Sequence, residues 1–358
     1  MALILNDDER ALQESVRRFV ADRSPLTKLR ELMDSGAAYD ADLWKQMSAQ
    51  LGLAGLIIPA AHDGAEAGYS ALSVALTELG AGLVASPLLA GALAAGTLLR
   101  LGDESAQADL LPGLASGELI VSLAALAADG AVTASGDALT GELAPVLNGA
   151  QAGVLLVPAV RDGQPVIFAV NADAAGLSVT ALPSTDPSRA LAAVRLEHTP
   201  GRALAGDAAG ALAFAASLAD LALASEQVGA MAACLEMTTE YAQIRIAFGR
   251  PIGAFQGVKH KLADIATARE LAHALVRDAA RAADERPADF PAAAAAARVM
   301  TSAPYFEAAS ATIRLHGGIG FTWEHDAHLY YKNAMAGEVL FGTPDEQLDR
   351  LAAALAGG

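Results

Sequence analysis

Apolar and polar positions follow three successive patterns along the chain. Up to about residue 118 the spacing is helical. Leu12, Val16 and Phe19 follow one another at steps of four and three, one face of a helix. Asn6-Asp7-Asp8-Glu9 just upstream supplies N-cap chemistry, with carboxylates favoured in a first turn. A second helix is expected from Asp42 to Leu51, stopped by Gly52. Ile57 to Gly68, rich in Ala, Gly, Pro and Asp, reads as a loop. From 119 to about 200 the pattern shortens. Leu119-Ile120-Val121, Val154 to Val157, Val166 to Val170, Leu177 to Val179 and Ala193 to Leu196 are β-favouring runs. Asp162-Gly163 and Pro183 to Pro187 separate some of them as turns. Beyond 208 the helical spacing returns, and Phe255, Val258, Leu262 and Ile265 step by three, four and three. The order helices, strands, helices predicts an α+β protein. Its expected parts are a helical domain over 1–118, a middle β domain over 119–205 and a helical domain over 206–358. Strands at this spacing suggest a small antiparallel sandwich or barrel.

One uncharged run, Leu79 to Leu99, is long enough to span a bilayer. It is mostly Ala, Gly, Leu and Ser and contains Pro87, so a buried helix pair broken at Ser86-Pro87 is expected instead. Charge narrows the partners. With 24 Lys and Arg against 41 Asp and Glu, the 358-residue chain carries a formal −17. Such a field disfavours nucleic acid and anionic membranes as partners. The one cysteine, Cys234, excludes a disulfide framework and a thiolate metal site. A single thiol fits a reducing cytoplasm. The N-terminal stretch becomes charged after five residues, so no signal peptide is expected.

Two clusters could carry chemistry. Arg245-Ile246-Ala247-Phe248-Gly249-Arg250-Pro251-Ile252-Gly253-Ala254-Phe255-Gln256 sits between two helical patterns. Arg245 and Arg250 suit phosphate, Gln256 both donates and accepts, and Gly249 and Gly253 permit close backbone approach. The bland alternative is a sharp interhelical turn with surface arginines. Leu315-His316-Gly317-Gly318-Ile319-Gly320-Phe321 follows a helix and can present backbone N–H groups to a phosphate or a nucleotide edge. Its spacing is not the dinucleotide fingerprint, and a simple helix stop fits equally well. His325, Asp326 and His328 could suggest a metal, although a polar, aromatic-rich loop entering a helix accounts for them and no metal is expected. Lys259 and Lys261 with Arg245 and Arg250 offer local positive charge to an anionic ligand, or are ordinary exposed cations.

Taken together, these clusters resemble the acyl-CoA dehydrogenase family. Arg-x-x-Phe-Gly-x-Pro-Ile-x-x-Phe-Gln is complete at 245–256 and His-Gly-Gly-x-Gly-Phe-Thr at 316–322, with Leu111-Pro112-Gly113 to Gly117 agreeing upstream. The likeness covers nearly the whole chain and is weakest from about 122 to 153. It implies a C-terminal four-helix bundle, FAD, an acyl-CoA substrate and an oligomer built from dimers. It also implies that Arg245, Phe248, Gln256, His316, Gly317 and Gly318, and more weakly Thr343, reach FAD held mainly by a neighbouring subunit.

The departures concern the base that removes the α-proton. One family position falls within Leu340-Phe341-Gly342-Thr343, where Phe341 stands. The other lies about thirty residues before Gly249, at Ala219. Neither side chain accepts a proton. Asp220, Glu226 and Glu338 are nearby carboxylates that could substitute, or could make interhelical contacts or line a solvated surface. The small-residue stretch Ser122 to Gly136 lacks the family's flavin-contacting motif, and a later flavin-facing segment is reduced to Val146-Leu147-Asn148-Gly149. This combination is similar to the smaller, base-lacking subunits of heteromeric acyl-CoA dehydrogenases, as is Ala224 to Gly229. The alternatives are a self-sufficient dehydrogenase with a relocated base, a flavin-dependent oxygenase on the same fold, and a scaffold without activity.

Overall fold

The computed structural model describes residues 4–356. The first three and last two residues of the expected terminal domains lie outside the described residues. The N-terminal part is six helices: α1 (Asp7–Arg23), α2 (Leu26–Ser35), α3 (Ala41–Leu51), α4 (Gly68–Ala81), α5 (Leu88–Leu101) and α6 (Glu104–Ser116). The Asn6 side chain accepts the Glu9 N–H at 2.8 Å, and Glu9 accepts the Asn6 N–H at 2.9 Å, closing a capping box at α1. Gly52 stops α3 in the left-handed conformation, φ 64°. The uncharged run divides as expected, with α4 ending at Ala81 and α5 starting after Pro87.

The middle strands are β1 (Val121–Leu123), β2 (Val132–Ser135), β3 (Ala138–Leu147), β4 (Val154–Arg161), β5 (Gln164–Asn171), β6 (Leu177–Leu182), β7 (Leu191–Pro200) and β8 (Arg202–Ala203). They form one eight-stranded sheet in the order β6-β7-β3-β2-β4-β5-β8, with β1 also on β4. Two features correct the sequence reading. The pairings of β1 and β2 with β4 are parallel, so the sheet is not wholly antiparallel. Strand β2 of the β2–β3 hairpin lies in the stretch Ser122 to Gly136 read only as small residues, and of Leu119 to Val121 only Val121 is in a strand. Ser135-Gly136-Asp137 was the missed signal: Gly136, at φ 59°, makes the two-residue turn.

The C-terminal part comprises α7 (Ala208–Ile244), β9 (Ile246–Ala247), β10 (Arg250–Pro251), α8 (Gln256–Glu285), α9 (Phe290–His316), α10 (Ala327–Val339) and α11 (Pro344–Ala356). Helices α7 to α10 pack as a bundle, α11 lies on α9, and α4 and α5 cover α7. By length and composition α7 could cross a membrane, yet 67% of its apolar window is buried within the protein. Its surroundings explain the composition, because α7 is packed on several sides. The α4–α7 crossing depends on glycine: a Cβ on Gly229 would sit 1.8 Å from the Thr77 carbonyl oxygen, and one on Gly80 2.1 Å from that of Glu226.

Candidate cofactor surface and the base positions

The C-terminal ends of α7 and α9 meet, and this joins the two sequence clusters. Tyr241 stacks on His316 with ring centroids 4.4 Å apart, and its hydroxyl donates to the His316 carbonyl at 3.2 Å. Arg245 caps α7 and is exposed. The expected turn after it is a small β9–β10 hairpin. Phe248 sits at its tip at φ 52° and is 95% exposed, beside Gly249 at φ 78°. Phe255 lies edge-on to Phe248, and the Arg250 guanidinium lies 4.2 Å from the Phe255 ring centroid. Gln256 opens α8, exposed. On the other side of the junction, a Cβ added to Gly317 or Gly318 would meet nothing within 4 Å, so this backbone is open to a ligand or partner. Ile244, Ile246, Ile319, Phe321 and Trp323 are exposed around it, an apolar concentration of the kind that marks an interaction site.

His316 itself is buried. Its Nδ1 lies 2.7 Å from the Thr312 carbonyl oxygen and therefore carries the proton, and burial pulls its pKa below the usual range. His325 packs against it with tilted rings, centroids 4.3 Å apart, and accepts the Ala327 N–H through Nδ1. Burial, then the neighbouring His316, lowers the His325 pKa too. Asp326 is taken by Arg30, and His328 packs edge-on against Trp323. These three residues thus have individual partners, and among the described residues no group of three or more His, Cys, Asp or Glu is arranged to hold a metal. Lys259 is exposed, and Lys261 is 3.9 Å from Glu307.

Thr343 is not brought to this end. It follows α10, whose 13 residues span about 20 Å. Its hydroxyl and N–H both meet the Glu346 carboxylate, and it receives the Glu346 N–H, capping α11. Within this chain Thr343 caps α11.

The two expected base positions lie in and against the core. Ala219 is fully buried, and Phe341 packs against the same apolar cluster, which also holds Leu147, Leu340, Leu126 and Leu191. Phe341 has φ 63°. The turn that carries it is tied down at its carbonyls. Gln347 donates to those of Glu338 and Gly342 at 2.8 and 2.9 Å, and Arg350 to that of Phe341 at 3.3 Å. Arg298, fully buried, donates to the carbonyls of Gly337 and Leu340 and to the Gln227 side chain. Asp220 balances both cations, with Oδ1 2.9 Å from Arg350 Nη2 and 3.8 Å from Arg298 Nε. Burial lowers the Arg298 pKa to about 10 and raises that of Asp220, the guanidiniums opposing the second shift.

The other two carboxylates differ in their surroundings. Glu226 pairs with Arg189, which also faces buried Asp186. Glu338 is half-buried on α10, with its carbonyl held by Gln347. In the middle sheet, Ser122 donates to the Leu147 carbonyl at 2.6 Å and the Asn148 N–H to that of Ala190 at 2.7 Å. Sequence reasoning missed Arg298, Gln347 and Arg350. The signal for Arg298 was a lone cation ending the alanine run Ala292 to Ala297.

Comparison with known proteins agrees with both sequence and fold. Residues 6–118 match the acyl-CoA dehydrogenase N-terminal domain and residues 216–356 its C-terminal domain. The chain belongs to the acyl-CoA dehydrogenase family. Acyl-CoA dehydrogenase IpdE2 of Mycobacterium tuberculosis is 36% identical over 350 residues, 96% of either chain. Among solved structures, a chain of the ChsE4-ChsE5 complex from Mycobacterium tuberculosis superposes with a TM-score of 0.92 at 29% identity, covering 100% of both chains. A chain of the Tcur3481-Tcur3483 steroid acyl-CoA dehydrogenase gives 0.90 at 31%, covering 98% of both.

Acyl-CoA dehydrogenases bind FAD. The bundle end of this family member fits part of that cofactor: an exposed cation at Arg245 and open backbone at Gly317 and Gly318 suit a pyrophosphate. The segments at 146–149 and 340–341 contribute mainly apolar packing. Val146, Leu147 and Leu340 are buried apolar side chains in packed clusters.

Proposed function

We propose that this chain is the base-lacking subunit of a heteromeric acyl-CoA dehydrogenase. Its bundle end completes an FAD site held mainly by a second acyl-CoA dehydrogenase-like subunit, and that subunit supplies the base. One observation carries the reading: Ala219 is apolar core, half-buried Phe341 packs against the same cluster, and the turn at Phe341 is fastened by Arg298, Gln347 and Arg350. A proton acceptor cannot work from a place occupied by alanine and phenylalanine, and positioned bases contribute roughly 10²–10⁴ in rate. Of the three carboxylates offered as substitutes, Asp220 and Glu226 are engaged by guanidiniums, and Glu338 is half-buried on α10. The names of the two similar structures, each a pair of proteins, support a partner subunit.

Bound FAD would supply the hydride acceptor for oxidation of an acyl-CoA thioester. This chain's own contribution is binding. Arg245 and the Gly317–Gly318 backbone take the phosphates, Gln256 adds a polar contact, and Phe248 shields the site from water. The test is the flavin content. The chain purified alone should show little absorbance between 350 and 500 nm and negligible turnover. Co-expressed with a second acyl-CoA dehydrogenase-like chain, it should copurify with FAD. One FAD per chain and robust turnover from the isolated protein would overturn the proposal.

A further inference from the structure

We propose that Arg30, on α2 of the N-terminal part, is the positioning residue for the surface that completes the FAD site; this rests on the function proposed above. Arg30 crosses 296 residues of sequence to reach the turn between the glycine loop and α10. Nε and Nη2 donate to Asp326 Oδ1 at 3.0 and 2.6 Å, and Nη1 donates to the Trp323 carbonyl at 2.6 Å. One planar guanidinium thus grips a side chain and a backbone carbonyl three residues apart, an arrangement an ammonium cannot reproduce.

The gripped turn directs several groups. Phe321 and Trp323 face outward from it, and Lys332 lies 4.2 Å over the Trp323 ring. His325, next to Asp326, packs with a tilted ring on His316, which immediately precedes Gly317 and Gly318. Local bonds close only short turns: Thr322 N–H and hydroxyl to the Ile319 carbonyl at 3.0 and 2.8 Å, His325 N–H to that of Thr322 at 3.4 Å, and Ala327 N–H to His325 Nδ1 at 3.1 Å. The Arg30 contact ties this segment to a separate helix. The Arg30 and Asp326 side chains are only 26% and 35% exposed, which shields the pair from the screening that weakens surface ion pairs.

The test uses the co-expressed complex with Arg30→Gln, Arg30→Lys and Asp326→Asn. Hydrogen exchange follows the turn, and free-flavin fluorescence after dilution follows FAD release. With Arg30→Gln, exchange over 318–327 should rise at least tenfold without change in α3 to α6. FAD release should accelerate about fivefold or more. Arg30→Lys should fall between, and Arg30→Gln with Asp326→Asn should do no more than either alone. Faster exchange with unchanged FAD release would overturn the proposal, leaving Arg30 a purely structural tie. Unchanged exchange would overturn it too. A wild-type complex that holds no FAD would instead refute the function on which the proposal rests.

Discussion

Asp220→Asn separates a structural carboxylate from a catalytic one. The substitution keeps the size of the side chain and removes the charge between Arg350, 2.9 Å away, and Arg298, 3.8 Å away. At an effective dielectric of about 20, each attraction is roughly 4–6 kcal/mol before the cost of drying the ions. Breaking a buried pair costs about 3–5 kcal/mol once that desolvation is included. Asparagine still accepts one hydrogen bond, and the Arg350 side chain is 34% exposed, which places the loss near the low end, about 3 kcal/mol. Urea unfolding of the complex should register it as a lowered midpoint. Turnover with saturating acyl-CoA and an artificial electron acceptor, per folded complex, should stay within about twofold. The opposite pattern would refute the reasoning: an unchanged midpoint with turnover down by about 10²–10⁴ would make Asp220 the base.

Other outcomes follow from the same contacts. Phe341→Glu should not make the isolated chain a dehydrogenase. It would place a carboxylate in the apolar cluster beside Leu340, lowering the unfolding midpoint without creating turnover. Phe248→Ala should leave stability within about 0.5 kcal/mol, because the side chain is 95% exposed. In a subunit-association titration it should weaken partner capture by about tenfold or more. His273 is held neutral by burial and by Arg277 and Arg269, its pKa pulled down to about 4. The unfolded chain takes up this proton near pH 6.5, so the contribution of His273 is full above that pH and is lost as pH falls toward 4. His273→Gln should flatten the unfolding midpoint across that window. Gly229→Ala, which would put a Cβ 1.8 Å from the Thr77 carbonyl oxygen, should cost about 3 kcal/mol or more in the same unfolding assay.

The legible parts of this protein were those written in neighbouring residues. Helical spacing marked the face of α1 and the periodic stretch of α8, Asn6 and Glu9 marked a helix start, and Pro87 the break before α5. The two clusters were readable because each is a contiguous string. Middle-sheet pairings were harder. The parallel contacts of β4 join segments far apart in sequence, and β2 is too short and too mixed in composition to stand out.

Sequence alone therefore determined the helix–strand–helix order, the family motifs, and the apolar character of Ala219 and Phe341. Tertiary structure decided what those residues do. It set Tyr241 against His316 and so joined the two clusters at one bundle end. It closed the Phe341 turn under Arg298 and Arg350, and set Asp220 between two cations, one of them 130 residues away. The physical reason is that helix and cap preferences arise from residues within a turn or two of each other. The charge state and reach of a buried carboxylate depend on whichever distant groups the fold packs around it.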